Sequence, residues 1–196
     1  MGIATVILSF WGFLFLSRPV WLQIASQTNV PMPKASELTW ISRAPGLETA
    51  ELTIYVDDIV VDRMMLTRLD TKAYRFSVHY DPTGTRTAEE WQRELDATVV
   101  VNGSYFDGNF QPLTPIKASN TIAGPTEYTS SHGAFVSNGN TVGIVDLRDK
   151  DVFKAIDPYP HAMVSYPLLV DPMRENRALD TKTWLASRNF VALGKL

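Results

Sequence analysis

An α+β fold, mostly antiparallel β-sheet with a few short helices, is predicted by three observations. Short segments rich in Val, Ile, Leu, Tyr and Thr recur along the chain, Gly, Pro, Asn and Asp punctuate the gaps between them, and one stretch carries helical spacing behind a cap. With 196 residues, 45% hydrophobic and 11% aromatic, one globular domain with a sizeable core is the expectation.

The first element is apolar. Residues 3–16 are almost all hydrophobic, and no charged side chain appears before Arg18. The run is shorter than the roughly 20 residues of a spanning helix but fits the core of a signal peptide. Continued to residue 24, past Arg18 and Pro19, it would serve as a short membrane anchor. Residues 1–26 are therefore expected to export or tether the chain, and an extracytoplasmic location follows; a buried first helix is the alternative. Residues 27–36, with Pro31, Pro33 and Asn29, read as a linker, and the folded domain is expected over residues 37–196.

After Pro45-Gly46, residues 49–56, 64–69 and 74–80 read as strands, the last by strict alternation of Tyr74, Phe76, Val78 and Tyr80 with Arg75, Ser77 and His79. Asp81-Pro82-Thr83-Gly84 supplies a turn. Thr87 and Glu90 have the spacing of a capping box, which predicts a helix to about Leu95 with Trp91 as a core anchor on its apolar face. The β-branched run at residues 98–101 predicts a central strand buried on both faces. Residues 134–136 and 141–145 flank Asn138-Gly139 and predict a hairpin with a two- or three-residue turn. Further strands are expected at residues 163–166, 168–170 and 189–193.

Composition removes several function classes. The net charge of −3 is spread without runs of one sign, which argues against a nucleic-acid track or a polybasic membrane patch. The chain has no cysteine, so disulfides, thiolate metal sites and a cysteine nucleophile are excluded. The three histidines lie far apart in sequence and the carboxylates form no cluster, so neither a metal nor a cofactor is expected.

Chemistry concentrates after the valine run. Residues 99–107 deliver Asn102, Gly103, Ser104, Tyr105, Phe106 and Asp107 at the end of the expected strand, through a glycine that lets the backbone turn. Asn102 offers a donor and an acceptor, Asp107 a carboxylate, and Tyr105 or Phe106 a flat face for a sugar ring. The alternative is an Asx turn with two core aromatics.

This segment resembles the valine-rich strand followed by Asn-Gly-Gly/Ser-Tyr/Phe-Phe-Asp of the phosphodiester glycosidase family, to which the mannose 6-phosphate uncovering enzyme belongs. Supporting pieces occur in the same order: residues 40–47 ending Pro-Gly-Leu, Arg68-Leu69-Asp70 followed by Tyr74-Arg75-Phe76, the helix bearing Trp91, His132-Gly133-Ala134-Phe135, residues 165–170, and residues 188–194. The resemblance implies hydrolysis of a phosphodiester at a sugar's anomeric carbon, in exported or cell-surface phosphorylated carbohydrate. It makes Arg188 the phosphate partner, since a guanidinium fork matches two phosphate oxygens. Asp107 becomes an acid or base, His132 a proton donor near neutral pH, and Asn102, Gly103, Ser104 and Tyr105 a sugar-binding loop. A second carboxylate, as glycosidic cleavage usually requires, has Asp171 as its candidate. The family's closing Leu-Asp-Gly-Gly-Gly-Ser motif is absent before Leu196, so the domain is expected to be C-terminally incomplete. Two further readings stay open: a catalytically incomplete relative that binds glycans or takes part in exopolysaccharide assembly, and a membrane-tethered structural β domain.

Overall fold

The computed structural model describes residues 32–129, 132–166 and 191–194. The apolar segment at residues 3–24, Asp171, Arg188 and the strand expected at residues 168–170 lie outside the described residues; residues 191–194 are described and carry no strand. The architecture is sheet-dominated α+β, with every described strand pair of known register antiparallel. The chain divides into two compact units, Met1–Arg68 and Leu69–Leu196.

The first unit is one sheet of four strands, β1 (Lys34–Ala35), β2 (Ile41–Ala44), β3 (Leu47–Val56) and β4 (Ile59–Leu69). β3 is its hub: β1 pairs with Ile54 and Tyr55, β2 with Leu47, Glu48 and Thr49, and β4 also pairs with it. Pro45-Gly46 turns β2 into β3, with Gly46 at φ 74°, a conformation costly for any side chain bearing a Cβ. Asp57 and Asp58 turn β3 into β4 with φ of 50° and 62°, the paired positive values of a type I′ turn whose twist suits a hairpin. β1 falls within the stretch read as linker, and Ser36 continues its pairing by donating its amide to the Thr53 carbonyl at 2.8 Å. Ala50 is the buried hydrophobic residue of this sheet.

The second unit holds a five-stranded sheet in the order β6-β5-β9-β7-β8. Its strands are β5 (Ile116–Ala118), β6 (Thr121–Ala123), β7 (Gly133–Ser137), β8 (Val142–Asp146) and β9 (His161–Ser165). Alternation on β7 and β9 sends Ala134, Val136, Ala162 and Val164 to one face, where the register pairs Ala134 with Val164 and Val136 with Ala162. The short helix α2 (Val152–Ile156) buries Val152 and Ile156 in the same core, together with Leu147. Asp151 caps it by accepting the Lys154 amide at 3.1 Å, and Lys117 on β5 reaches its far end, donating from Nζ to the Asp157 carbonyl at 2.7 Å.

The opposite face of β7 and β9 is covered without a ladder. Residues 74–80 alternate half-buried and exposed as the period-two pattern predicts, yet they form no strand. They are held instead by side chains: Ser137 Oγ donates to the Phe76 carbonyl at 2.7 Å, Phe76 packs on Phe135 at 6.5 Å between ring centroids, and the Val78 amide donates to His161 Nδ1 at 3.3 Å. The strand expected at residues 98–101 is likewise corrected, for the segment joins no ladder and Val99 and Val101 are 37% and 57% exposed. A β-branched run becomes a strand only when a neighbour supplies hydrogen-bonding partners, and none of the described strands lies beside it.

The helix α1 (Ala88–Leu95) forms with both halves of its capping box: Glu90 N donates to Thr87 Oγ1 at 3.2 Å and Thr87 N to Glu90 Oε2 at 2.8 Å. No residue of α1 is buried, so Trp91 is a half-buried flank against His79 and Arg86 and not a core anchor. The β7–β8 hairpin closes around Gly139 and Asn140, a two-residue turn as expected: Asn138 N donates to the Thr141 carbonyl at 3.2 Å, and Asn138 Oδ1 accepts the Asn140 and Thr141 amides.

Candidate functional site

The loop after the valine run reaches the sheet at the end of β9. Gly103 lies so close to Met163 on β9 that a Cβ there would push its thioether aside. Ser104, at φ 63°, then turns inward and its hydroxyl donates to Thr114 Oγ1, whose own hydrogen is spent elsewhere. Thr114 is fully buried and passes the chain on, donating to the Val164 carbonyl at 2.7 Å. A half-buried and a buried hydroxyl so satisfied fix the loop to β9 at the cost of little more than their ordering.

Tyr105 follows on this inner side. Its ring stacks on Tyr166 at 4.1 Å between centroids and 18° between planes, and its hydroxyl donates to the Tyr166 carbonyl at 2.9 Å. His132, entering β7, lies 4.8 Å from the Tyr166 ring on a tilted plane, and Tyr128 lies 6.4 Å from His132. Residues distant in sequence thus form one row of flat rings, Tyr105, Tyr166, His132 and Tyr128, along one end of the second sheet. Such a row offers apolar faces to the C–H surfaces of a sugar, with an imidazole among them for proton transfer.

Burial pushes the His132 imidazole below its ordinary value near 6.5, since removing it from water disfavours the cation. The shift favours the neutral ring at neutral pH, the form that accepts a proton. Asp107 serves the loop. Its Oδ1 accepts the Asn109 and Gln111 amides at 2.8 and 2.9 Å, so the Asx turn forms. Of the two adjacent aromatics, Tyr105 packs inward and Phe106 stays exposed. Asn102 is exposed at the mouth of the loop.

The structure therefore brings Tyr105 and His132 together on Tyr166, sets Gly103 and Ser104 against Met163 and Thr114, and points Asp107 into its own turn. Tyr166, Thr114 and Tyr128 join them without having been singled out from the sequence. Tyr166 carried a signal, lying beside Ser165 in a segment already matched; Thr114 and Tyr128 carried none. Among the described residues, no group of three or more His, Cys, Asp or Glu side chains could hold a metal ion. No family model, no curated protein and no solved structure matches this chain.

Proposed function

We propose that the chain is an exported hydrolase of a sugar-1-phosphodiester, with the ring row of Tyr105, Tyr166 and His132 as its sugar-facing surface. The observation that carries the reading is that Tyr105, from the Asn102–Gly103–Ser104–Tyr105 loop, and His132 both pack on Tyr166, and both segments belong to the family resemblance. In this reading Tyr105 stacks on the sugar, neutral His132 accepts a proton from water or a hydroxyl, and Arg188 holds the phosphate. Water supplies the hydroxyl to the anomeric carbon, the carbon–oxygen bond to phosphate breaks, and the phosphomonoester leaves. Residues 3–24 direct the chain across a membrane or hold it there; among the described residues no helix is long and apolar enough to cross one.

The test is release of free N-acetylglucosamine from the methyl phosphodiester of N-acetylglucosamine 1-phosphate. The wild-type chain should turn it over, and His132→Ala and Arg188→Ala should each lower kcat/KM by about 100-fold. Absence of turnover by the wild type rejects the hydrolase.

A second reading is favoured by one observation: Asp107 spends its Oδ1 on two backbone amides, and the ring row contains no carboxylate. A glycan-binding protein needs the rings without paired carboxylates. It would show saccharide-dependent thermal stabilisation and no turnover.

A further inference from the structure

Beyond the inner ring row, the same loop presents a second aromatic surface on its outer side. Residues 105–113 form a small hairpin: Phe106 bridges to Pro112, Leu113 N donates to the Tyr105 carbonyl at 2.8 Å, and Asp107 N donates to the Gln111 carbonyl at 2.9 Å. Neighbouring residues on extended backbone point to opposite sides, so with Tyr105 turned to Tyr166, Phe106 faces solvent. Phe110 joins it, with ring centroids 6.2 Å apart and planes at 32°, and the two side chains stay 51% and 49% exposed.

This pair is held in place. Phe110 sits at φ 61°, a conformation disfavoured for a bulky residue. Its stem fills the space that only a glycine at position 84 leaves open. Asp107 Oδ1 clamps the turn through two amides, and Tyr80 donates from its hydroxyl to Gln111 Oε1 at 3.5 Å. Two exposed phenylalanines on strained, multiply anchored backbone lose little freedom on binding a flat ligand.

The rim decides what that ligand is. Asp107 and Asn109 belong to the same turn as the two phenylalanines, and Asp107 Oδ2 and the Asn109 side-chain amide make no hydrogen bond among the described residues. Planar carboxylate and amide groups bond vicinal hydroxyls, and an aromatic face takes the C–H surface of a pyranose. An anionic bilayer or anionic peptide is disfavoured, because residues 103–114 contain no Lys or Arg and nearby Arg86 is paired with Glu94 at 3.1 Å. We propose that Phe106 and Phe110 form a stacking platform for a neutral pyranose ring of a glycan chain, a subsite on the outer side of the loop. The inference deepens the carbohydrate reading and rests on it for the setting in which such a glycan is met.

The experiment uses the full chain labelled with ¹³C at phenylalanine rings, titrated with triacetylchitotriose, with mannotriose and, separately, with phosphatidylglycerol vesicles. At least one trisaccharide should shift the ring resonances that vanish in Phe106→Ala and Phe110→Ala, and each substitution should weaken its binding by about tenfold. Phe110→Tyr, which keeps the flat face, should retain affinity. Phe106→Ala changes an exposed side chain, so it remains informative should Phe110→Ala fail to fold. The platform is overturned if neither sugar moves these resonances, if Phe106→Ala binds as tightly as wild type, or if only vesicles shift them. Sugar-induced shifts in a chain that fails to cleave the phosphodiester would reject the hydrolase and keep the platform; cleavage with unmoved rings would do the reverse.

Discussion

His132 and His79 lie in the second unit, and burial pushes both below their ordinary value, with the neighbouring His161 adding to the effect on His79. For a base whose folded pKa is depressed, the unfolded chain takes up the proton first. Stability is therefore unaffected while both states are neutral, and it is lost as pH falls from the unfolded value, about 6.5, toward the lower folded one. Thermal midpoints should drop as pH falls below about 6.5, and the double substitution His79→Gln with His132→Gln should flatten that part of the profile. A slope in that window identical to wild type would assign the loss to carboxylates. If His132 also carries the proposed proton transfer, kcat/KM should rise with pH through a value below 6.5. Gly84 makes a different prediction at the same scale: at φ 62° and against the Phe110 stem, Gly84→Ala should destabilise by about 2 kcal/mol in chemical denaturation.

Capping and turn chemistry act at the scale of the element. Thr87→Ala removes the hydroxyl that accepts the Glu90 amide while leaving the backbone donor to Glu90 Oε2, and should cost α1 about 1 kcal/mol, visible as faster amide exchange in its first turn. The β3–β4 turn works in the other direction. Asp58 holds φ 62° without the freedom of glycine, so Asp58→Gly should stabilise the hairpin by about 0.5 kcal/mol. Ser137 is buried and binds two elements at once, donating to Phe76 and accepting the Gly139 amide at 2.8 Å. Ser137→Ala leaves the Gly139 amide and the Phe76 carbonyl without this partner and should cost about 2 kcal/mol, loosening residues 74–80 first. These elements differ in legibility. The capping box and the Asn138-Gly139 hairpin could be read directly, because each is closed by contacts a few residues apart. The valine run at residues 98–101 could not, because whether it pairs depends on a neighbour supplied from elsewhere in the chain.

At the scale of the whole molecule, the two units differ in what holds them. The second packs Leu147, Val152 and Ile156 with four residues of β7 and β9 into a dry cluster. The first buries Ala50, while Ile59, Val61 and Met65 of β4 remain 67%, 55% and 70% exposed. Since burial of apolar area dominates stability, amides of β3 and β4 should exchange faster than those of β7 and β9 in the intact chain. Equal protection throughout would mean that the two unfold as one.

The sequence by itself determined the sheet-dominated character, the capped helix, the Asn138-Gly139 hairpin and the segment in which the polar loop lies. Each rests on local pattern: alternation, helical spacing, and residues that tolerate positive φ. Tertiary structure alone decided that residues 74–80 lie against the sheet without joining it, that Asp107 closes its own turn, and that Tyr105, Tyr166 and His132 share one row of rings. Those outcomes depend on which distant surfaces compete for the same backbone groups and apolar faces, and sequence spacing does not record that competition.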